Sequence, residues 1–190
     1  EADFVPDAVI SDCYGSCDIN SKTHEFLARY MDIPLLFLEK PVDDTERGVR
    51  QYYRYYARLV EEMEEFLGEK LDEERMREVL GLANRASELF WELWDLHKFS
   101  PCPVPNIFSV MTYGTRFTMW GTQGAVDVMQ VMVDTAKRRL ERGEYPAERE
   151  VARALWTYTS YYYDMSGLFN WMEENGVTHL GDGLDLLFPR

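Results

Sequence analysis

Apolar positions recur along the chain with two spacings, and each spacing predicts a different element. Continuous apolar runs lie at residues 8–11 and 33–38, and such runs are typical of parallel strands covered on both faces. Between them, residues 21–31 place apolar side chains three and four positions apart, as a helix does. The first forty residues therefore predict a βαβ unit, with Ser21 as the helix N-cap.

Two long helical patterns come next, over residues 45–67 and 72–96. Gly68 predicts the end of the first helix, so we expect a helical hairpin that occupies residues 44–98. Three prolines interrupt the pattern after it, and residues 106–121 are rich in Thr, Tyr, Phe and Gly without a clear period. This stretch predicts an ordered loop.

The remainder of the chain predicts one more helix and then a second α/β unit. The helix covers residues 122–142, and a strand, a helix and a strand are predicted after it at 153–157, 166–175 and 177–180. The predicted fold class is α/β, with Rossmann-like parallel-sheet portions that flank the long helical hairpin. We place the first α/β unit and the hairpin in one domain at 1–143, and expect 144–190 to begin a second, incomplete Rossmann-like domain.

Charge and cysteine content narrow the possible partners. The formal charge is −14, which argues against nucleic acid because phosphate binding needs clustered Lys and Arg. No apolar run approaches the about 18 residues of a membrane helix, so no membrane partner is expected. Three cysteines are too few for a secreted disulfide framework and predict a reducing, cytoplasmic compartment.

The loop at residues 12–18 is the strongest candidate for a functional site in the sequence. It reads Asp-Cys-Tyr-Gly-Ser-Cys-Asp and joins the carboxyl end of a strand to the amino end of a helix, where ligands of open α/β sheets gather. The helix dipole there favours a thiolate or an anionic cluster. A Cys-x3-Cys pair alone leaves two interpretations open, metal ligands or small buried apolar side chains.

Other candidate residues have simpler structural explanations. His24 is expected to be a capping or surface residue of the first helix. Neither His97 nor His179 has an acidic or cysteine residue at the spacing that a metal site would need. Tyrosines 161–163 and the five tryptophans are expected in the core or at a subunit interface. Cys102 lies among prolines, which indicates a packing role.

A series of short motifs resembles one known family. Residues 5–12 read Val-Pro-Asp-Ala-Val-Ile-Ser-Asp and precede Cys17-Asp18; further motifs stand at 26–28, 33–34, 68–74, 121–122, 142–143, 148–153 and 155–156. In this order they resemble the 2-hydroxyacyl-CoA dehydratase and benzoyl-CoA reductase family, where the segment around Cys17 carries a cluster-ligating cysteine. We expect the chain to be the middle portion of such a subunit, such as a 2-hydroxyglutaryl-CoA dehydratase D-component.

The resemblance implies a subunit that holds a [4Fe-4S] cluster through three cysteines, one of which would be Cys17. The other two ligands are expected outside this segment; the alternative is a relative that has lost its cluster. The implied substrate is a 2-hydroxyacyl-CoA thioester, which an ATP-dependent iron-sulfur activator would reduce by one electron to a ketyl radical before hydroxide leaves. Position alone suggests Tyr14, Ser16 and the predicted loop at 111–120 as substrate contacts. Cys13 has no counterpart in the family pattern.

Several alternatives stay open at this point. The resemblance also covers benzoyl-CoA reductase-type and double-cubane-cluster reductase subunits, and the second subunit could be identical or related. A non-catalytic partner subunit would keep the fold and offer its aromatic surface to another chain. An anion site in an ordinary Rossmann-like enzyme is a further interpretation, against which no G-x-G-x-x-G comes after the first strand.

Overall fold

A computed structural model describes residues 5–12, 17–41, 43–157 and 164–183. Its contacts divide the chain into two compact units, Glu1–Asp72 and Glu73–Arg190. This division lies in the turn between the two long helices, and so differs from the boundary expected near residue 144. None of the helices in the described ranges combines the length and the apolar composition that crossing a bilayer requires.

The first unit contains the predicted βαβ arrangement and one long helix. Its elements are β1 (Val9–Ser11), α1 (Asp18–Met31), β2 (Leu35–Phe37) and α2 (Glu46–Leu67). β1 and β2 are parallel, with Val9 opposite Leu35. α2 packs on β2 through a small core of Leu36, Leu38 and Leu59, which confirms the continuous apolar run as a buried strand.

The second unit is mostly helical and ends in another parallel strand pair. Its elements are α3 (Glu73–Asp95), a 3-10 turn (Leu96–Lys98), α4 (Phe108–Met119), α5 (Gln123–Arg142), β3 (Ala152–Ala154), α6 (Met165–Glu174) and β4 (Val177–His179). α3 and α5 form the main core, in which Leu89, Met129 and Val133 are completely buried. Ala152 pairs with Val177 in parallel register.

Local sequence signals account for most helix ends. Thr45 caps α2 by accepting a hydrogen bond from the Gly48 N–H at 3.2 Å, and Thr122 caps α5 through the Ala125 N–H at 3.3 Å. Gly121 precedes that cap with φ +84°, and a Cβ there would lie 2.7 Å from Val79 Cγ1. Only glycine fits this turn without strain.

The structure corrects two predictions about local structure. Residues 108–119 form α4 rather than a loop, because Thr112, Tyr113 and Thr115 are buried and tertiary packing overrides their weak helix propensity. α1 begins at Asp18 with Cys17 as N-cap, so Ser21 is not the cap. Ser21 instead lies inside the first turn, where its hydroxyl donates to the Cys17 carbonyl at 2.9 Å.

The fold class is α/β, as expected. Within the described residues each sheet has two parallel strands, and the larger Rossmann-like sheet stays a prediction. The helical hairpin also stays a prediction, since its two helices, α2 and α3, belong to different units.

Candidate functional site

The carboxyl ends of β1 and β2, here called the first edge, bring two charged side chains together. The Leu38 N–H donates to the Ser11 carbonyl at 2.9 Å, which extends the strand pairing to the end of both strands. Beyond it, Lys40 Nζ lies 4.0 Å from Asp12 Oδ2. Both side chains are open to water, so the ion pair contributes little to the stability of the fold.

Cys17 lies at the start of α1, on the connection that leads from β1. Its backbone is extended, with φ −151° and ψ 98°, and its side chain makes no capping hydrogen bond. The thiol is half-buried and free of any disulfide. The first N–H groups of a helix have no partners within it and carry the positive end of the dipole. The half-buried Cys17 side chain therefore lies close to the positive end of the α1 dipole.

A hydrogen bond joins α1 to the last residue of β1. His24 Nδ1 lies 2.8 Å from Ser11 Oγ, and Ser11 is 3% exposed. His24 thus joins α1 to β1, which goes beyond the capping or surface role expected from the sequence. No local pattern in the sequence signals this contact, since the two residues are thirteen positions apart.

The other predicted site residues and Cys102 have different outcomes. Cys13, Tyr14 and Ser16 lie outside the described residues, so their predicted roles stay predictions. Cys102 is 3% exposed and its Sγ lies 3.9 Å from the Val104 carbonyl oxygen. Burial raises the pKa of its thiol, which confirms the packing role expected from its proline-rich surroundings.

The carboxyl ends of β3 and β4, here called the second edge, carry buried side chains among the described residues. His179 is 1% exposed, and neither of its ring nitrogens has a hydrogen-bond partner among the residues that the structure describes. Burial lowers the pKa of His179 to about 4, so the ring is neutral near pH 7. It lies between Phe169 and Trp156, with ring-centroid distances of 5.0 and 6.1 Å. Nearby, Asp182 accepts a hydrogen bond from the Tyr113 hydroxyl.

Asn106 holds β4 in place from the segment before α4. Its Nδ2 donates to the Val177 carbonyl at 2.9 Å, and its Oδ1 accepts from the His179 N–H at 2.8 Å. Its own N–H donates to Glu173 Oε1 at 2.6 Å. Asn106 is 3% exposed, so these bonds replace the neighbouring strand that an edge strand lacks.

Glu150 makes a second clamp on the same strand. It accepts hydrogen bonds from Thr178 Oγ1 at 2.6 Å, Ser100 Oγ at 2.8 Å and the Cys102 N–H at 3.0 Å. Burial alone would raise the pKa of Glu150, but these donors outweigh it and hold the pKa below its usual value. These contacts of the described residues at the second edge stabilise the fold.

The described part of the chain does not contain a complete metal site. Within it, no three His, Cys, Asp or Glu side chains converge on one point. Among the described residues, Cys17 therefore belongs to no group of three potential metal ligands.

Comparison with known proteins identifies relatives along nearly the whole chain. The family model described as 2-hydroxyglutaryl-CoA dehydratase, D-component, matches residues 3–184. The (R)-phenyllactyl-CoA dehydratase alpha subunit of Clostridium sporogenes is 25% identical over 145 residues, which cover 74% of this chain and 35% of that protein. The (R)-2-hydroxyglutaryl-CoA dehydratase subunit alpha of Acidaminococcus fermentans is 23% identical over 183 residues, or 93% of this chain and 38% of that protein. The chain spans little more than a third of these relatives.

Proposed function

Because the chain belongs to the 2-hydroxyglutaryl-CoA dehydratase D-component family, we propose that it forms part of the iron-sulfur subunit of a 2-hydroxyacyl-CoA dehydratase-type enzyme. The reaction would remove water from a 2-hydroxyacyl-CoA by way of a ketyl radical. We propose Cys17 as one ligand of a [4Fe-4S] cluster. Both curated relatives are alpha subunits of dehydratases that act on 2-hydroxyacyl-CoA thioesters.

The observation that carries this proposal is the position of Cys17. Its thiol is half-buried at a helix N-cap beyond the carboxyl end of β1, and it makes no capping hydrogen bond. Iron-sulfur clusters are held by thiolates, and thiolates are favoured at helix amino ends. Cys102 would fit poorly, because it is buried and its thiol pKa is raised.

The chain's own residues would position and tune this ligand. The Ser21 N–H and hydroxyl both donate to the Cys17 carbonyl, at 3.0 and 2.9 Å, which fixes the N-cap backbone. The bond between His24 and Ser11 holds α1 against β1. A bound cluster with one open iron would supply a Lewis-acidic, one-electron-active centre for the thioester, while the fold supplies the orientation.

The remaining partners belong to the same proposal. Two further thiolates would come from outside the described residues, in keeping with a chain that spans about a third of its curated relatives. A related or identical second subunit would complete the enzyme, and an ATP-dependent activator would deliver the electron. The proposed compartment is the cytoplasm, where thiols stay reduced.

Metal content of the full-length protein tests the proposal. The protein is purified without oxygen, together with any partner that co-purifies, and its iron and acid-labile sulfide are measured. We expect Cys17→Ala to lose the cluster and Cys102→Ala, the matched control, to retain it. Unchanged iron and sulfide in Cys17→Ala would overturn the proposal, and a colourless wild-type protein would favour a non-catalytic partner subunit.

A further inference from the structure

An open cavity lies beside the first edge, on the side of α2. Its volume is about 820 Å³, and Lys40, Pro41, Asp43 and Asp44 line one wall. The other wall consists of Val49, Tyr52, Tyr53 and Tyr56, which recur three and four residues apart and so share one helix face. Pockets of this size commonly bind small molecules.

The tyrosines form an aromatic wall, and packing between their rings and against the core supports it. The rings of Tyr52 and Tyr56 meet edge to face, with centroids 4.9 Å apart, and Tyr52 packs against the core formed by Leu36, Leu38 and Leu59. A hydrogen bond with Tyr52 raises the pKa of Tyr56, so its hydroxyl stays uncharged. Tyr53 is 73% exposed and offers a ring face to an incoming ligand.

Charge limits what this cavity can accept. Its lining carries one lysine against two aspartates, and the lysine already lies 4.0 Å from Asp12. Asp43 accepts a hydrogen bond from the Thr45 N–H at 3.1 Å, so it contributes to capping α2. A second carboxylate or a phosphate would meet net negative charge here, whereas a neutral ring would gain stacking and apolar contact.

We propose that the cavity lined by Tyr52, Tyr53 and Tyr56 binds an uncharged planar aromatic group. The aryl acyl group of a thioester substrate would present such a ring. The assignment of this aromatic group to a substrate rests on the proposed function. The binding of an aromatic group in the cavity does not depend on that function.

Ligand titrations of the iron-free full chain, monitored by NMR, test the proposal. Cinnamamide is compared with 4-methylpentanamide, a neutral aliphatic amide, with cinnamate, and with choline as a cationic probe. We expect cinnamamide to bind most tightly. Equal or tighter binding of the aliphatic, anionic or cationic probe, or no binding of any aromatic probe, would overturn the proposal.

Matched variants locate the ring. Tyr53→Leu should weaken cinnamamide binding by about two- to tenfold, as expected for one aromatic contact. Tyr30→Leu is the control, since Tyr30 is 76% exposed on α1 and does not line the cavity. Asp44→Lys should shift preference from cinnamamide toward cinnamate. Equal affinity losses in Tyr53→Leu and Tyr30→Leu, or no shift in Asp44→Lys, would contradict the assignment.

The two proposals can fail separately. Absence of the cluster with intact aromatic preference would remove the dehydratase proposal alone. Loss of aromatic preference in a protein that binds iron through Cys17 would remove the cavity assignment alone.

Discussion

The first and second edges have the same topology and opposite surroundings. Each is formed by two parallel strands whose pairing continues past the last strand residues. The Leu38 N–H donates to the Ser11 carbonyl at 2.9 Å in the first pair; in the second, the Leu180 N–H donates to the Ala154 carbonyl at 2.8 Å and the Trp156 N–H to the Gly181 carbonyl at 3.1 Å. The first edge opens onto an accessible thiol, an exposed ion pair and a large cavity. The second edge buries a neutral histidine and an aspartate under aromatic rings.

The residues just beyond each strand account for this difference. Past β1 and β2 stand the charged side chains of Asp12 and Lys40, both in contact with water. β4, by contrast, is held by Asn106 and Glu150 and ends in His179, whose ring faces Phe169. Ligands of α/β proteins bind beyond the carboxyl ends of strands, but these two edges show that position alone does not make a site. An accessible edge also needs reactive groups that the fold has not used for its own stability.

The largest expected effect concerns acid stability at the second edge. His179 has a folded pKa of about 4 against an ordinary value of 6.5, so the unfolded chain takes up its proton first as the pH falls. The contribution of the neutral His179 ring to the free energy of unfolding is therefore fully present above about pH 6.5. It falls by about 3 kcal/mol as the pH approaches 4. Denaturant unfolding at pH 7 and pH 4.5 measures it.

A variant without the imidazole isolates this contribution. In His179→Leu, the free energy of unfolding should no longer fall by this amount between pH 7 and pH 4.5. At pH 7 the substitution should lower the free energy of unfolding by less than about 1.5 kcal/mol, because the ring nitrogens have no hydrogen-bond partners among the described residues. An acid-induced drop in stability that is as steep in His179→Leu as in the wild type would contradict the burial of a neutral ring.

A slightly smaller change in stability is expected when each edge loses a buried side chain that makes hydrogen bonds. Asn106→Ala leaves the Val177 carbonyl and the His179 N–H unpaired and buried, at about 2–3 kcal/mol. Ser11→Ala removes the bond to the half-buried His24 and should cost about 1 kcal/mol. Urea unfolding gives the free energy of unfolding of both variants. A larger loss of stability in Ser11→Ala than in Asn106→Ala would contradict the expected difference between the two edges.

The smallest effect separates the two described cysteines by reactivity. Cys17 should react with iodoacetamide at least about tenfold faster than Cys102, since Cys102 is buried and its thiol pKa is raised. Peptide mass spectrometry after short exposures of the iron-free chain gives both rates. Equal rates would mean that the first edge is no more accessible than the core.

Local signals predicted most of the fold. Thr45, Thr122, Gly68 and Gly143 carry capping signals that depend on neighbours a few residues away, and the apolar runs identified the strands. α4 was missed because its buried Thr and Tyr residues favour other structures locally, and only packing makes them helical. The N-cap was placed too late because Ser is a better capping residue than Cys.

The candidate site divides in the same way. Cys17 could be found from its motif and its place after a strand. The bond between Asn106 and His179 joins residues 73 positions apart, and the cavity forms only when the segment after β2 lies beside α2. No pattern of neighbouring residues encodes these contacts, so they emerged only with the structure.

The most direct test of the central claim is anomalous scattering at the iron edge, from crystals of the full-length protein grown without oxygen. We predict iron within bonding distance of Cys17 Sγ, at the amino end of α1. Iron bound wholly by other sulfur atoms, with the Cys17 thiol pointing away from it, would contradict the assignment of Cys17 as a cluster ligand.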